Sequence, residues 1–105
     1  MSSNSLSNVA VNTLANVYFD GKCVSHTITN AQGERKSVGV ILPSTLTFNT
    51  GAAEVMELVA GSCKVLLPGA SAWQAFEGGQ QFSVPANAKF EIEVSQTLHY
   101  VCHFS

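Results

Sequence analysis

Short stretches in which apolar and polar residues alternate constrain the fold of this chain more than any other feature. The alternation is clearest in FEIEV, where Phe90, Ile92 and Val94 face one way while Glu91 and Glu93 face the other. A period of two is typical of a β-strand with one dry face and one solvated face. No segment keeps the helical period for more than a turn or two, so long helices are not expected.

Nine such segments are predicted as strands. They are Lys22–Thr29, Ser37–Leu42, Leu46–Asn49, Glu54–Ala60, Ser62–Leu67, Trp73–Phe76, Gln80–Val84, Lys89–Ser95 and His99–Phe104. Gly, Pro and Asn residues, which favour tight turns, separate them. Many short strands at regular spacing predict an all-β sandwich or barrel, and 105 residues suffice for one domain with a modest core.

The two ends of the chain are predicted to differ. Residues 1–8 are rich in Ser and Asn and are expected to fray. We predict residues 1–16 as a partly disordered N-terminal segment and residues 17–105 as the β-barrel domain. The N-terminus lacks the basic start and apolar stretch of a signal peptide or membrane anchor, which predicts a cytoplasmic protein.

Cysteine usage agrees with a reducing compartment. The three cysteines, Cys23, Cys63 and Cys102, are an odd number without CxxC spacing. This pattern favours free thiols over a disulfide framework. Each is expected to pack as a small apolar residue.

Charged residues are scarce, which limits the partners of the chain. They make up 11% of the sequence, against about 25% in an average globular domain. Few charges leave apolar surface that a second copy could cover, so a homodimer is expected. The net charge of -2 and the five dispersed Lys and Arg residues argue against nucleic acid or an anionic membrane as a partner. A small anion could still be held by one or two of those cations.

Glu54 is the most unusual acidic residue, because it alternates with Met56 and Leu58 on one side of a predicted strand. A carboxylate that faces a core is costly unless something pairs with it or binds to it. Either this face is wet, or Glu54 has a partner. The candidate partners are a bound ligand and a structural cation, Arg35 or Lys22.

The spacing of Glu54, glycine and proline resembles the two motifs of the cupins, which are small β-barrels built of two facing sheets. Glu54–Gly61 has the form E-x6-G and Gly79–Pro85 the form G-x5-P. In metal-binding cupins a pair of histidines precedes this glutamate by a few residues, and a further histidine follows the proline. Here those positions hold residues 47–50 and Phe90, none of them His, so the usual cupin metal site is not expected.

A closer resemblance covers nearly all of residues 18–104. The matching motifs are Y-F-x-G-K at Tyr18–Lys22, R-x-S-V-G-V at Arg35–Val40, T-F-x-T at Thr47–Thr50, E-x-M at Glu54–Met56, G-x-x-x-V-x-L-P at Gly61–Pro68, W-Q at Trp73–Gln74, F-x-V-P at Phe82–Pro85 and Y-x-C at Tyr100–Cys102. Together they resemble the small cupin-type pyrimidine/purine nucleoside phosphorylases.

The resemblance implies a single-domain cupin-like β-barrel (double-stranded β-helix, or jelly roll) with a specific activity. A purine or pyrimidine nucleoside and inorganic phosphate would give the free base and a pentose 1-phosphate, without metal or organic cofactor. The alternative is a cupin that binds a small metabolite without turnover, because the spacing requires no nucleophile, dyad or metal cluster.

Chemistry suggests which residues would carry phosphorolysis. The planar guanidinium of Arg35, with the nearby Ser37 hydroxyl, suits phosphate, although Arg35 could equally be a solvated hairpin residue. Lys22 is a second choice for the anion. Glu54 could accept hydrogen bonds from the ribose hydroxyls and stabilise positive charge at the anomeric carbon, so Glu54 and Arg35 are the predicted catalytic residues.

An enzyme that accepts different bases is expected to bind them by stacking on their faces and not by specific hydrogen bonds to their edges. Phe48 and Tyr100 are the first candidates for stacking and Trp73 the next, although each could instead be a core residue. Gln74 could donate its amide to a base or to phosphate. Thr47, at one of the positions that hold a metal ligand in metal-binding cupins, is the last of the predicted substrate contacts.

The histidines do not predict a metal site. His99 and His103 lie four residues apart on one face of a predicted strand. Their Cα atoms are therefore roughly 13 Å apart at about 3.3 Å per residue, too far for one ion. His26 belongs to a distant strand.

Overall fold

The computed structural model describes residues 5–104, which form nine β-strands in one antiparallel sheet. The strands are β1 (Ala10–Val11), β2 (Asn16–Tyr18), β3 (Cys23–Thr29), β4 (Arg35–Ile41), β5 (Ser44–Asn49), β6 (Glu54–Leu66), β7 (Gln74–Glu77), β8 (Gln81–Val84) and β9 (Lys89–Phe104). Within these residues the helical structure is one short 3₁₀ turn, Phe19–Gly21. The all-β prediction is confirmed.

The long strand β9 organises the sheet. Its N-terminal half pairs with β5, its C-terminal half pairs with β4, and β6 pairs with it along most of its length. Beyond β4 the order continues through β3 to β1, with β2 also on β3, while β7 and β8 pair with β6. Since β9 has different neighbours in its two halves, it connects two parts of the sheet whose inner faces enclose the core.

Two predicted interruptions of strands were wrong. Strand β6 runs through Gly61 and β9 runs through residues 96–98 without a turn. Gly61 has a φ of 98°, and a side chain there would collide with the Thr97 carbonyl oxygen. Register shifts in the same region mark a β-bulge. A bulge bends a strand without ending it, which explains why a glycine that reads as a turn lies inside β6.

Alternation correctly predicted the inner face of β9. Phe90, Ile92 and Val94 are at most 3% exposed and lie in the main hydrophobic cluster, while Glu93 is exposed. All three cysteines are buried free thiols, as predicted.

The short strands β1 and β2 were not predicted, because two or three residues are too few for a visible period. Their pairing with β3 orders part of the segment between residues 10 and 18. Residues 1–4 and 105 lie outside the described residues, so the fraying of residues 1–8 and the division at residue 16 stay predictions. No helix within residues 5–104 is long and apolar enough to cross a membrane.

Candidate active site

A cavity of about 230 Å³ lies between the inner faces of the sheet. Its walls come from six strands and the loop after β5. They comprise Tyr18 of β2, Cys23 and Ser25 of β3, Ser37 and Ile41 of β4, Phe48 and Asn49 of β5, residues 50–52, Glu54 and Met56 of β6, and Phe90, Tyr100, Cys102 and Phe104 of β9. Among the described residues, the cavity thus combines aromatic rings, hydroxyls, thiols and the carboxylate of Glu54.

The period of the strands directs these side chains into the cavity, and the register brings them together. Ser37 is the pairing partner of Cys102, and Cys102 is in turn the partner of Met56. Glu54 pairs with Phe104 at the end of the same two strands. Residues far apart in the chain therefore meet because alternate positions of neighbouring strands share one face.

Glu54 is half-buried in the cavity wall, next to the thiol of Cys102. Burial raises the pKa of its carboxyl, and the hydrogen bond from Cys102 opposes that shift. No Lys or Arg of residues 5–104 lies within 4.0 Å of the carboxylate. The structural ion pair of Glu54 with Arg35 or Lys22, the alternative considered above, is therefore not formed in the described part of the chain.

Cys102 connects Glu54 to Ser37. Its pKa is raised by burial first and then by the negative charge of Glu54, so the thiol stays protonated and can donate to the carboxylate. Ser37, which is 7% exposed, is hydrogen-bonded to the sulfur. A hydroxyl and a protonated thiol therefore lie beside the Glu54 carboxylate without neutralising it.

Tyr100 forms a second polar group deeper in the wall. Its hydroxyl lies 3.6 Å from the Cys23 sulfur and is also hydrogen-bonded to Ser25. Burial, followed by Cys23, raises the pKa of Tyr100, so the phenol is neutral. Only 7% of Tyr100 is exposed, and its ring is part of the core cluster as well as of the cavity wall.

Arg35 lies near the cavity rather than in its wall. Its guanidinium carbon is 5.7 Å from the centroid of the Phe104 ring, and Phe104 lines the cavity. Arg35 is exposed and shares the face of β4 that carries Ser37. A cation stacked over an aromatic ring is partly oriented but still free to bind an anion.

Phe48 packs within a row of aromatic rings. Its ring is stacked on Phe90 at a centroid distance of 5.5 Å and an angle of 18°, and it meets Phe19 edge to face at 5.3 Å and 78°. Phe48 and Phe90 line the cavity, whereas Phe19 supports Phe48 from outside it.

Four of the predicted substrate contacts are not brought to the cavity. Thr47 lies between the inward Leu46 and Phe48, so its exposed side chain points out of the barrel. Gln74 and Trp73 are exposed near β7, which pairs with the far half of β6, and Lys22 is exposed after the 3₁₀ turn. The structure gathers Glu54, Ser37, Phe48 and Tyr100, with Arg35 close by.

Several cavity residues were not predicted. Cys102 was interpreted only as packing, although its two-residue spacing from Tyr100 places both on the inner face of β9. Ser25 carried a similar signal, since it follows Cys23 by two positions. Tyr18 had none beyond its motif, because β2 is too short to show a period.

Thr50, also missed, anchors the loop after β5 beside the cavity. Its hydroxyl donates to the Pro85 carbonyl at 2.7 Å and accepts from the Ala88 amide at 2.9 Å. These two bonds leave the hydroxyl engaged with the backbone of the facing loop.

Metal-binding side chains do not gather in the described chain. Within residues 5–104, no three His, Cys, Asp or Glu side chains are placed to hold one ion. His103 is instead bonded to Glu57 at 2.8 Å and to the Lys36 amine at 2.7 Å on the outer face. His99 is exposed on the same strand. Metal independence stays a prediction.

Comparison with solved structures identifies the fold. A protein of unknown function from Acinetobacter sp. ADP1 superposes with a TM-score of 0.95 at 42% identity, over 98% of this chain and 100% of that one. The EutQ protein of Clostridium difficile matches with a TM-score of 0.63 at 11% identity, over 81% of this chain and 71% of its own. The second likeness shows the fold alone, which is cupin-like. The predicted cupin-like β-barrel is confirmed.

Comparison with known sequences identifies the family. The family model described as pyrimidine/purine nucleoside phosphorylase matches residues 13–104. A curated relative from Thiobacillus denitrificans, named pyrimidine/purine nucleoside phosphorylase, is 67% identical over 98 residues, which span 92% of this chain and 94% of the relative. The chain therefore belongs to the pyrimidine/purine nucleoside phosphorylase family.

Proposed function

We propose that the cavity catalyses phosphorolysis of both purine and pyrimidine nucleosides. The bond between the base and the anomeric carbon breaks, and an oxygen of inorganic phosphate bonds to that carbon. The base leaves with the bonding electrons and takes up a proton, so the products are the free base and a pentose 1-phosphate. Family membership supports this reaction, and the arrangement around Glu54 supports its location.

The observation that carries the proposal is the Glu54 carboxylate, the only one that residues 5–104 place in this cavity of hydroxyls and aromatic rings. Glu54 lies beside the Cys102 thiol, and no cation of the described chain pairs with it. Its charge is therefore free to accept hydrogen bonds from ribose hydroxyls and to stabilise the positive charge that develops as the base departs. Stabilisation is strong there because burial reduces screening by water.

Phosphate binding is assigned to Arg35 and Ser37. Both lie on the same face of β4, two residues apart, with Ser37 in the cavity wall and Arg35 over Phe104. A guanidinium offers paired donors that match phosphate oxygens, and a hydroxyl adds a third. Phosphate bound there would reach a sugar held by Glu54, because β4 and β6 both flank β9.

Broad base specificity would follow from stacking. Phe48 and Tyr100 line the cavity on β5 and β9, and every base has a π-face, so ring contacts do not distinguish purines from pyrimidines. The nearby hydroxyls of Tyr100 and Ser25 can each donate or accept, and so tolerate different base edges.

No metal or organic cofactor is part of this proposal. The positions that hold ligands in metal-binding cupins carry residues 47–50 and Phe90, which offer no imidazole. A metal ion is not needed to bind phosphate in this proposal, since the Arg35 guanidinium can balance one of its negative charges. The chemistry is assigned to the side chains of this chain.

The test is a product assay with inosine and uridine, with and without phosphate, after treatment with a chelator. We expect free base and ribose 1-phosphate from both nucleosides, and only when phosphate is present. Base released without phosphate would indicate hydrolysis. Nucleoside binding without either product would favour the alternative, a cupin that binds a small metabolite without turnover.

A further inference from the structure

We infer that Tyr18 is a base-stacking residue at the entrance of the cavity, an assignment that rests on the proposed phosphorolysis. Tyr18 ends β2, where it pairs with Cys23 of β3. It lines the cavity, yet 48% of its surface is exposed. An aromatic residue that is open both to the cavity and to solvent can offer its ring face to a planar ligand as the ligand enters.

The turn that follows Tyr18 has an unusual backbone. Phe19, Asp20 and Gly21 have φ angles of 54°, 56° and 91°, three left-handed residues in succession. Glycine adopts such angles readily, but a bulky residue such as phenylalanine does so at a cost. The amide of Lys22 donates to the Phe19 carbonyl at 3.2 Å and closes the turn. A strained turn persists only where other contacts enforce it, and such turns cluster at ligand sites.

An aromatic contact enforces this turn. Phe19 meets the ring of Phe48 edge to face at 5.3 Å and 78°, and Phe48 is itself a cavity residue. The positive φ of Phe19 therefore has a structural consequence: it lets Phe19 pack on the outside of the wall while its neighbour Tyr18 stays at the entrance. Phe19 therefore links the turn that follows Tyr18 to Phe48 in the cavity wall.

The ligand class that suits this arrangement is a planar nitrogen heterocycle. Stacking needs only the face of the ring, so Tyr18 would bind purines and pyrimidines alike. Tyr18 pairs with Cys23 at one end of β3, whereas Arg35 pairs with Thr29 at the other end. Tyr18 should therefore contribute to nucleoside binding and not to phosphate binding. Tyr18 thus becomes a substrate-binding residue that determines the KM for the nucleoside.

The experiment compares Tyr18→Ala, Tyr18→Leu and Tyr18→Phe with wild type. Tyr18→Leu keeps an apolar side chain without a π-face, so it replaces the alanine variant if that one fails to fold. Val17→Ala is the matched control, because Val17 is the preceding residue of β2, is 61% exposed and does not line the cavity. The KM values for inosine, uridine and phosphate and the thermal melt are measured for each variant.

We expect Tyr18→Ala and Tyr18→Leu to raise the KM for inosine and for uridine by roughly 5- to 150-fold, the range for loss of one base–aromatic stack. The KM for phosphate should stay at its wild-type value. Tyr18→Phe and Val17→Ala should behave like wild type. Unchanged nucleoside KM values in both Tyr18→Ala and Tyr18→Leu would overturn the assignment, and so would an equal rise in the KM for phosphate.

Failure of the proposed function would look different. If wild-type protein shows no phosphorolysis, the function itself fails, and binding of free hypoxanthine and uracil is then measured by calorimetry. Base binding that weakens in Tyr18→Leu would still support the stacking role, while no base binding by wild type would overturn it. An active wild type with unaffected variants refutes only the role of Tyr18.

Discussion

Replacing Glu54 with glutamine tests the central residue of the proposal. The substitution keeps the size of the side chain and an oxygen that can accept from Cys102, but it removes the charge. If the carboxylate stabilises the developing cation, turnover should fall by about 10²–10³, roughly 3–4 kcal/mol of transition-state stabilisation. Activity of the wild type should also decline as pH falls through the raised pKa of Glu54, at a higher pH than the usual 4.5 would give.

The expected effect on stability has the opposite sign. Burial raises the pKa of Glu54 in the folded state, so its ionisation opposes folding. Ionisation of Glu54 therefore lowers the free energy of unfolding of the wild type. This loss of stability is absent below the usual pKa of 4.5 and develops as pH rises through the raised pKa of the folded state. Glutamine does not ionise, so Glu54→Gln should melt no lower than wild type at pH 7, and its advantage should shrink at acid pH.

The assay combines phosphorolysis with the thermal melt. Rates are measured on a nucleoside and its 2′-deoxy analogue, and Glu57→Gln is the control because Glu57 is an outward residue of β6 bonded to His103. Wild type should discriminate against the deoxy analogue more strongly than Glu54→Gln does, and equal discrimination would refute the ribose role. A structural ion pair predicts instead a loss of about 3–5 kcal/mol of stability with normal activity in the protein that remains folded.

Three further predictions concern metal, assembly and backbone. Elemental analysis should find no stoichiometric transition metal, since no histidine stands at the ligand positions of metal-binding cupins; activity lost on chelation and restored by one ion would contradict this. Light scattering at micromolar concentration should give twice the chain mass of 11.1 kDa, because apolar residues such as Leu14 (80%) and Val11 (52%) are exposed; a monomer would count against it. Gly61→Ala should lower the free energy of unfolding by more than about 1 kcal/mol, because Gly61 has a left-handed backbone. Gly51→Ala should not, because there is open space around Gly51. Equal melting temperatures for the two variants would refute the strain at Gly61.

The amino-acid sequence by itself determined the local properties of this protein. Alternation predicted most strands and the buried face of Phe90, Ile92 and Val94, because in a strand each side chain's face depends only on its position parity. The same parity predicted that Glu54 faces inward. The motifs and their spacing were enough to predict the cupin-like barrel and the family, since both are properties of order along the chain.

Only the tertiary structure decided which residues meet. The neighbour of Glu54 is Cys102, 48 positions later in the numbering, and the two side chains meet because Cys102 of β9 pairs with Met56, two positions after Glu54 on the same face of β6. Thr47 points outward and Tyr18 reaches the cavity entrance for a similar reason: their places depend on strand pairing and on a turn enforced by Phe19 against Phe48. Alternation assigns a face to each residue, but register, bulges and packing between distant segments determine what lies across from it.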